Sequence, residues 1–161
     1  MQPKTSRERS DDRALAGPGL PAPAEQPALK VSGRCQCGQI TYEATVDPEQ
    51  VGICHCTDCR RLSGAPYRVR LPVPIEDFKL LSGSPKTYLK TGDSGARRMH
   101  AFCAECGSPV YASAPESPTS ITLRVCCLDH ANDLPPKRQI WCRSALSWAG
   151  PLEGLPGLDR Q

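Results

Sequence analysis

Residues 33–46, GRCQCGQITYEATV, carry two patterns end to end. In the first, Cys35-Gln36-Cys37-Gly38, two thiols stand one residue apart and a glycine follows. Glycine adopts positive φ without penalty, which is what a tight turn closing on a metal ion requires. In the second, Ile40, Tyr42, Ala44 and Val46 interleave with Thr41, Glu43 and Thr45. That period of two is the mark of a strand with one buried face. A metal knuckle running straight into a strand predicts a small β domain held by metal rather than by a large core.

The rest of the chain extends both patterns. Tyr67, Val69, Leu71 and Val73 alternate with Arg68, Arg70 and Pro72, which predicts a strand over 67–73. Shorter strands are expected at 86–90, 97–102, 109–112, 120–126 and 138–144, and a helical turn over 56–63. Turn signals separate them at Asp47-Pro48, Ser82-Gly83, Gly92-Asp93-Ser94-Gly95 and Pro135-Pro136. Residues 1–30 hold five prolines and five alanines among mixed charges without an apolar period, and are expected to form a disordered leader. The expected domain covers 31–149, followed by a flexible tail over 150–161.

Composition agrees with a thin core. Only 5% of the 161 residues are aromatic, while proline reaches 17 and cysteine 10. No run of apolar residues is long enough to span a bilayer, so no membrane partner is expected. The opening MQPKTSRERSDD has no apolar stretch, so a secretory signal is not expected either. Many cysteines in a reducing, cytoplasmic setting point to metal. The net charge of +3 is too small to argue for nucleic acid. It would fall by about three if seven thiolates held two zinc ions.

Those seven thiols form three groups: Cys35-x-Cys37, Cys54-x-Cys56-x-x-Cys59 and Cys103-x-x-Cys106. Gly38 and Gly107 follow the first and third groups, whereas Arg60 and Arg61 follow the second. The matching glycines pair Cys35, Cys37, Cys103 and Cys106 into one closed four-sulfur zinc site. Cys54, Cys56 and Cys59 are left as a three-sulfur site with one open corner, the pattern of a catalytic zinc. Disulfides are the bland alternative for the first site. For the second it is a fourth protein ligand, drawn from Cys126, Cys127, Cys142 or His55. Cys126, Cys127 and Cys142 fall on expected strands and are read as packing residues. His55 is read as a loop residue.

The stretches GRCQCGQITYE (33–43), CHCTDCRRLSGAPY (54–67), FCAECGSPVY (102–111) and QIWCRSALSW (139–148) resemble the glutathione-dependent formaldehyde-activating enzymes, the GFA domain shared with centromere protein V. The resemblance implies an Mss4-like fold, several small antiparallel sheets stabilised by zinc. It assigns Cys35, Cys37, Cys103 and Cys106 to a structural zinc and Cys54, Cys56 and Cys59 to a catalytic zinc that receives the glutathione sulfur. The implied activity, a carbon–sulfur lyase reaction in the reverse sense, joins glutathione to formaldehyde as S-hydroxymethylglutathione. In the family a histidine often precedes the Ile-Trp strand, where this chain has Gln139.

A three-cysteine zinc with an open corner suits thiol addition to a small aldehyde. Arg60 and Arg61, with Arg68 and Arg70, are candidates for holding the two carboxylates of glutathione. Arg68 and Arg70 equally fit the solvated outer face of a strand. Asp58, His55 and Tyr67 are candidate general acids. The competing function is a zinc-stabilised protein-interaction module without catalysis.

Overall fold

The computed structural model describes residues 28–92, 95–150 and 155–160. The expected leader therefore lies, up to residue 27, outside the described residues, as does part of the tail. Ten strands and one short helix follow in chain order: β1 Leu29–Arg34, β2 Thr41–Val46, β3 Gly52–Cys54, α1 Thr57–Ser63, β4 Arg68–Pro74, β5 Phe78–Ser82, β6 Lys86–Thr91, β7 Arg97–Phe102, β8 Pro109–Ser113, β9 Ser120–Arg124 and β10 Arg138–Ile140. The architecture is mainly β, as the alternation predicts. None of the described helices is long and apolar enough to cross a membrane.

The strands form a three-stranded sheet, β1-β2-β5, and a seven-stranded sheet, β10-β3-β4-β9-β8-β7-β6. Every pairing is antiparallel except β10 with β3. The register sorts the larger sheet into two faces, because partners opposite one another point the same way. Leu71 faces Leu123, Val73 faces Ile121, and Tyr111 faces both Leu123 and Ala101. This face meets Val31, Tyr42, Ala44 and Val46 of the smaller sheet in one continuous core. Phe78 bridges the sheets, with ring centroids 5.6 Å from Tyr42 and 5.4 Å from Tyr111. The opposite face carries Cys54 beside Arg68, Arg70 beside Arg124, and Thr122 beside Ala112, which in turn faces His100.

Three strands escape the period-two reading. β1 begins at Leu29, ahead of the expected boundary at 31, and β3 is only three residues long. β5 exposes most of its side chains, Leu80 and Leu81 among them, so no alternation marks it. Two expected strands are shorter than the sequence suggested. β9 stops at Arg124 and a 3-10 turn takes Val125–Cys127, leaving Cys126 exposed and Cys127 half-buried. β10 stops at Ile140 because Trp141 turns the chain at φ 59, and Cys142 is exposed. Packing in the core is thus corrected for Cys126 and Cys142. A left-handed backbone costs a non-glycine residue about 1–2 kcal/mol.

The join between β5 and β6 depends on Gly83, which has φ +77. A Cβ there would meet the Gln39 carbonyl oxygen at 2.5 Å and Ile40 Cγ1 at 2.9 Å. Gly83→Ala therefore combines left-handed strain with a clash against fixed backbone. We expect a loss of about 2 kcal/mol or more in urea unfolding of the metal-loaded protein, against less than about 0.5 kcal/mol for Leu81→Ala on the exposed edge.

Candidate metal centres and a basic cleft

The first centre lies where two hairpin turns meet. Cys35 and Cys37 follow β1, and Cys103 and Cys106 join β7 to β8, so each sheet supplies one knuckle. Each turn closes on its glycine. The Gly38 amide donates to the Cys35 carbonyl at 3.0 Å and the Gly107 amide to the Cys103 carbonyl at 3.0 Å. Their φ values are 79° and 73°. The four sulfurs all lie within 4.8 Å of one another. Cys37 Sγ is 3.5 Å from Cys35 Sγ and 3.7 Å from Cys103 Sγ. A tetrahedron with Zn–S bonds near 2.3 Å has edges of about 3.8 Å, so the donor set fits zinc in both chemistry and size. The Ile40 amide already donates to Cys35 Sγ at 3.3 Å, a contact that stabilises a thiolate. No disulfide forms, as all ten cysteines are free.

The second group is the end of β3 and the start of α1. Cys54, Cys56 and Cys59 bring their sulfurs within 4.8 Å of one another. Cys56 caps the helix, its sulfur accepting from the Cys59 amide at 3.4 Å. Among the described residues no fourth Cys, His, Asp or Glu joins them. His55 is buried but turned aside. Its Nε2 bonds Gln139 Oε1 at 2.8 Å, and its ring meets Tyr67 edge-on. Within the triad a hydrogen bond with Cys59 brings the Cys54 thiol down to about 5, aided by the Cys56 backbone and the charge of Arg70, against the burial that raises it. The same pairing pushes Cys59 up.

These sulfurs line a cleft of about 410 Å³ on the face of the larger sheet turned away from the core. Arg68, Arg70, Arg98, Arg124 and Lys90 also line it, with Asp58 as its one carboxylate among the described residues. Lys90 Nζ bonds Asp58 Oδ2 at 2.5 Å, tying β6 to α1 across the cleft. Arg68 and Arg124 are 6% and 5% exposed, and the Nε of each is buried without a hydrogen-bond partner. Burial and the neighbouring charge of Arg68 lower Arg124 to about 10, while Cys59 acts against them. His100 also lines the cleft, with Nδ1 3.4 Å from Arg124 Nη2. Burial, then Arg124 and Arg68, hold its imidazole down to about 4.

The sequence expectation is thus met unevenly. The two cysteine groups assemble with the expected members. Arg68 and Arg70 lie on the face opposite Leu71 and Val73, as alternation requires, but that face is a cleft and Arg68 is buried there. Arg60 and Arg61 do not line it; they border a different hollow with Trp148 and Leu146. Successive helical residues are turned by about 100°, so following Cys59 in sequence does not place them beside it in space. Arg98, Arg124, Lys90 and His100 went unread, because only strand pairing brings them to the triad.

A β domain with two thiolate clusters of metal-binding size, one beside a basic cleft, defines the class. The sequence model of the family described as glutathione-dependent formaldehyde-activating enzyme (GFA) matches residues 30–144, and the chain belongs to that family. No curated protein matches the chain. Among solved structures, a Rhodobacter sphaeroides protein is similar at 20% identity and a TM-score of 0.53, covering 67% of this chain and 98% of that one. That likeness speaks for the fold.

His100 provides a test of the electrostatics. A histidine whose folded pKa is depressed stays neutral, and the stability this confers is lost as pH falls from the ordinary value near 6.5 toward the folded one. The His100 ring signals in NMR should keep their neutral positions down to about pH 5 and titrate near 4. Arg124→Gln should move that midpoint upward. An ordinary midpoint in the unsubstituted protein would contradict the cleft's charge arrangement.

Proposed function

We propose that the protein is an enzyme of the carbon–sulfur lyase type that adds a glutathione-like thiol to a small aldehyde such as formaldehyde, giving an S-hydroxymethyl adduct. The observation that carries this reading is the three-sulfur group set in the wall of a cleft with five cations and one carboxylate. In it, Cys35, Cys37, Cys103 and Cys106 hold a structural zinc, and Cys54, Cys56 and Cys59 a second zinc with a free corner. Bound there, zinc supplies the Lewis acidity that makes an incoming thiol a thiolate at neutral pH. The donor set fits that ion, since three soft thiolates converge with no fourth protein ligand among the described residues.

The chain's own residues do the remainder. Glutathione carries two carboxylates, and Arg70 and Arg98, which line the cleft and are less buried than Arg68 and Arg124, would receive them. Addition forms a C–S bond as the C=O π bond opens, and the former carbonyl oxygen takes up a proton. Of the acids suggested by sequence, Asp58 is engaged by Lys90, and His55 with Tyr67 stands outside the cleft lining. His100 lines the cleft instead and, held neutral, serves as a hydrogen-bond donor rather than as an acid, the proton on oxygen coming from water. With Nδ1 facing the Arg124 guanidinium, its proton sits on Nε2, which makes the neutral ring a hydrogen-bond donor. Arg68 and Arg124 add positive potential where the oxygen gains charge. The thiolate ligands suit a reducing location such as the cytoplasm.

Zinc-edge X-ray absorption tests this directly. Two zinc ions per chain are expected, with about 3.5 sulfur ligands each on average, rising to about 4 when glutathione is added. NMR exchange between free and thiol-bound formaldehyde should quicken with the protein present. Cys56→Ser should abolish the acceleration and remove one zinc while the fold survives. Four sulfurs per zinc from the outset, with no acceleration, would point instead to a zinc-stabilised interaction module.

A further inference from the structure

The cleft has a second wall that thiolate chemistry and charge do not explain. Ile140 and Trp141 line it beside the cysteine triad, and β10 sets Ile140 directly opposite Cys54. Both side chains are exposed, Trp141 at 51% and Ile140 at 37%, although they border a concave site. Trp141 holds a left-handed backbone, φ 59, which bulky side chains avoid. The Arg143 guanidinium lies 5.1 Å from the centre of its ring. Arg143 does not line the cleft, whereas Trp141 does.

Backbone strain persists where the surrounding structure enforces it, and it clusters at ligand clamps. Here the enforcing contacts are close at hand. The His55 amide donates to the Ile140 carbonyl at 3.1 Å, and the His55 ring bonds Gln139, so the strand is fixed up to the residue before the turn. At that turn Trp141 lines the same cleft as the five cations. Formaldehyde, though planar, is too small to cover an indole. The two amide planes of a peptide thiol match it in size and flatness.

We propose that Trp141 is a specificity-determining residue of the cleft, its indole stacking on the peptide part of the thiol so that a peptide thiol is preferred to a simple one. This rests on the thiol-binding reading of the triad. Glycine adopts the conformation at 141 without strain, so Trp141→Gly removes the ring without destabilising the chain.

The test uses the zinc-loaded full chain in a Trp148→Phe background, where Trp141 is the sole tryptophan. Glutathione should shift Trp141 emission saturably, whereas 2-mercaptoethanol should not. Trp141→Gly should leave the melting temperature unchanged or higher and raise the KM for glutathione by about tenfold, a typical aromatic-contact loss. The KM for 2-mercaptoethanol should stay within about twofold, and Trp141→Phe should recover most of the preference. Equal KM changes for both thiols, or no emission shift with glutathione, would overturn the proposal while leaving thiol-dependent turnover intact. Absence of turnover with any thiol would instead remove the proposed function, and the emission titration would still decide whether Trp141 meets a peptide thiol.

Discussion

Four sulfur atoms within 4.8 Å of one another, two from a turn of each sheet, are the contact on which this architecture depends. With 5% aromatic residues, the core between the sheets rests mainly on small aliphatic side chains and on Tyr42, Phe78 and Tyr111. Small β domains with such cores need a further cross-link, and a metal ion held by these four cysteines would provide one. The same contact determines the state of the apo chain. Four thiols this close cannot all ionise without a cation, so filling the centre with a metal ion would be coupled to completing the fold. Because the β7–β8 knuckle is one half of it, this centre also fixes the hairpin that carries His100 and Ala112 into the cleft.

How far the sequence could be read follows from how local each feature is. A cysteine knuckle is a four- or five-residue event marked by its own glycine, so Gly38 and Gly107 paired the right sulfurs. Alternation is almost as local and found β2 and β4; β6 to β9 were also expected near their observed bounds, although β6 is exposed along most of its length. It missed β5 because edge strand Phe78–Ser82 leaves Leu80 and Leu81 in solvent and shows no contrast to read. It overran at β9 and β10 because a 3-10 turn at Val125 and a left-handed residue at Trp141 are set by tertiary contacts.

The cleft is where local reading stops. Alternation correctly put Arg68 and Arg70 on the face opposite Leu71 and Val73, but period two says nothing about whether that face meets water or a cavity. The basic partners that complete it lie on β6, β7 and β9, up to about 70 residues from Cys54 in sequence, and only the order β4-β9-β8-β7-β6 gathers them. Sequence proximity favoured Arg60 and Arg61 for the same task, and one helical turn placed them on another surface. The metal ligands were legible because the chain itself brings them together in pairs. The substrate wall was not, because strands from distant parts of the chain build it.

The burial of Arg68 and Arg124 shows how the two halves of the site support each other. A buried guanidinium without a counter-charge is costly, and burial together with the charge of Arg68 lowers the pKa of Arg124. What offsets them is the triad: Cys59 raises the pKa of Arg124, Arg68 favours ionisation of Cys59, and Arg70 does the same for Cys54. The arginines and the sulfurs therefore act on each other's charge. Replacing one cleft arginine changes the charge of the sulfur site as well as the grip on a carboxylate, so the two effects must be separated by measuring metal content alongside binding.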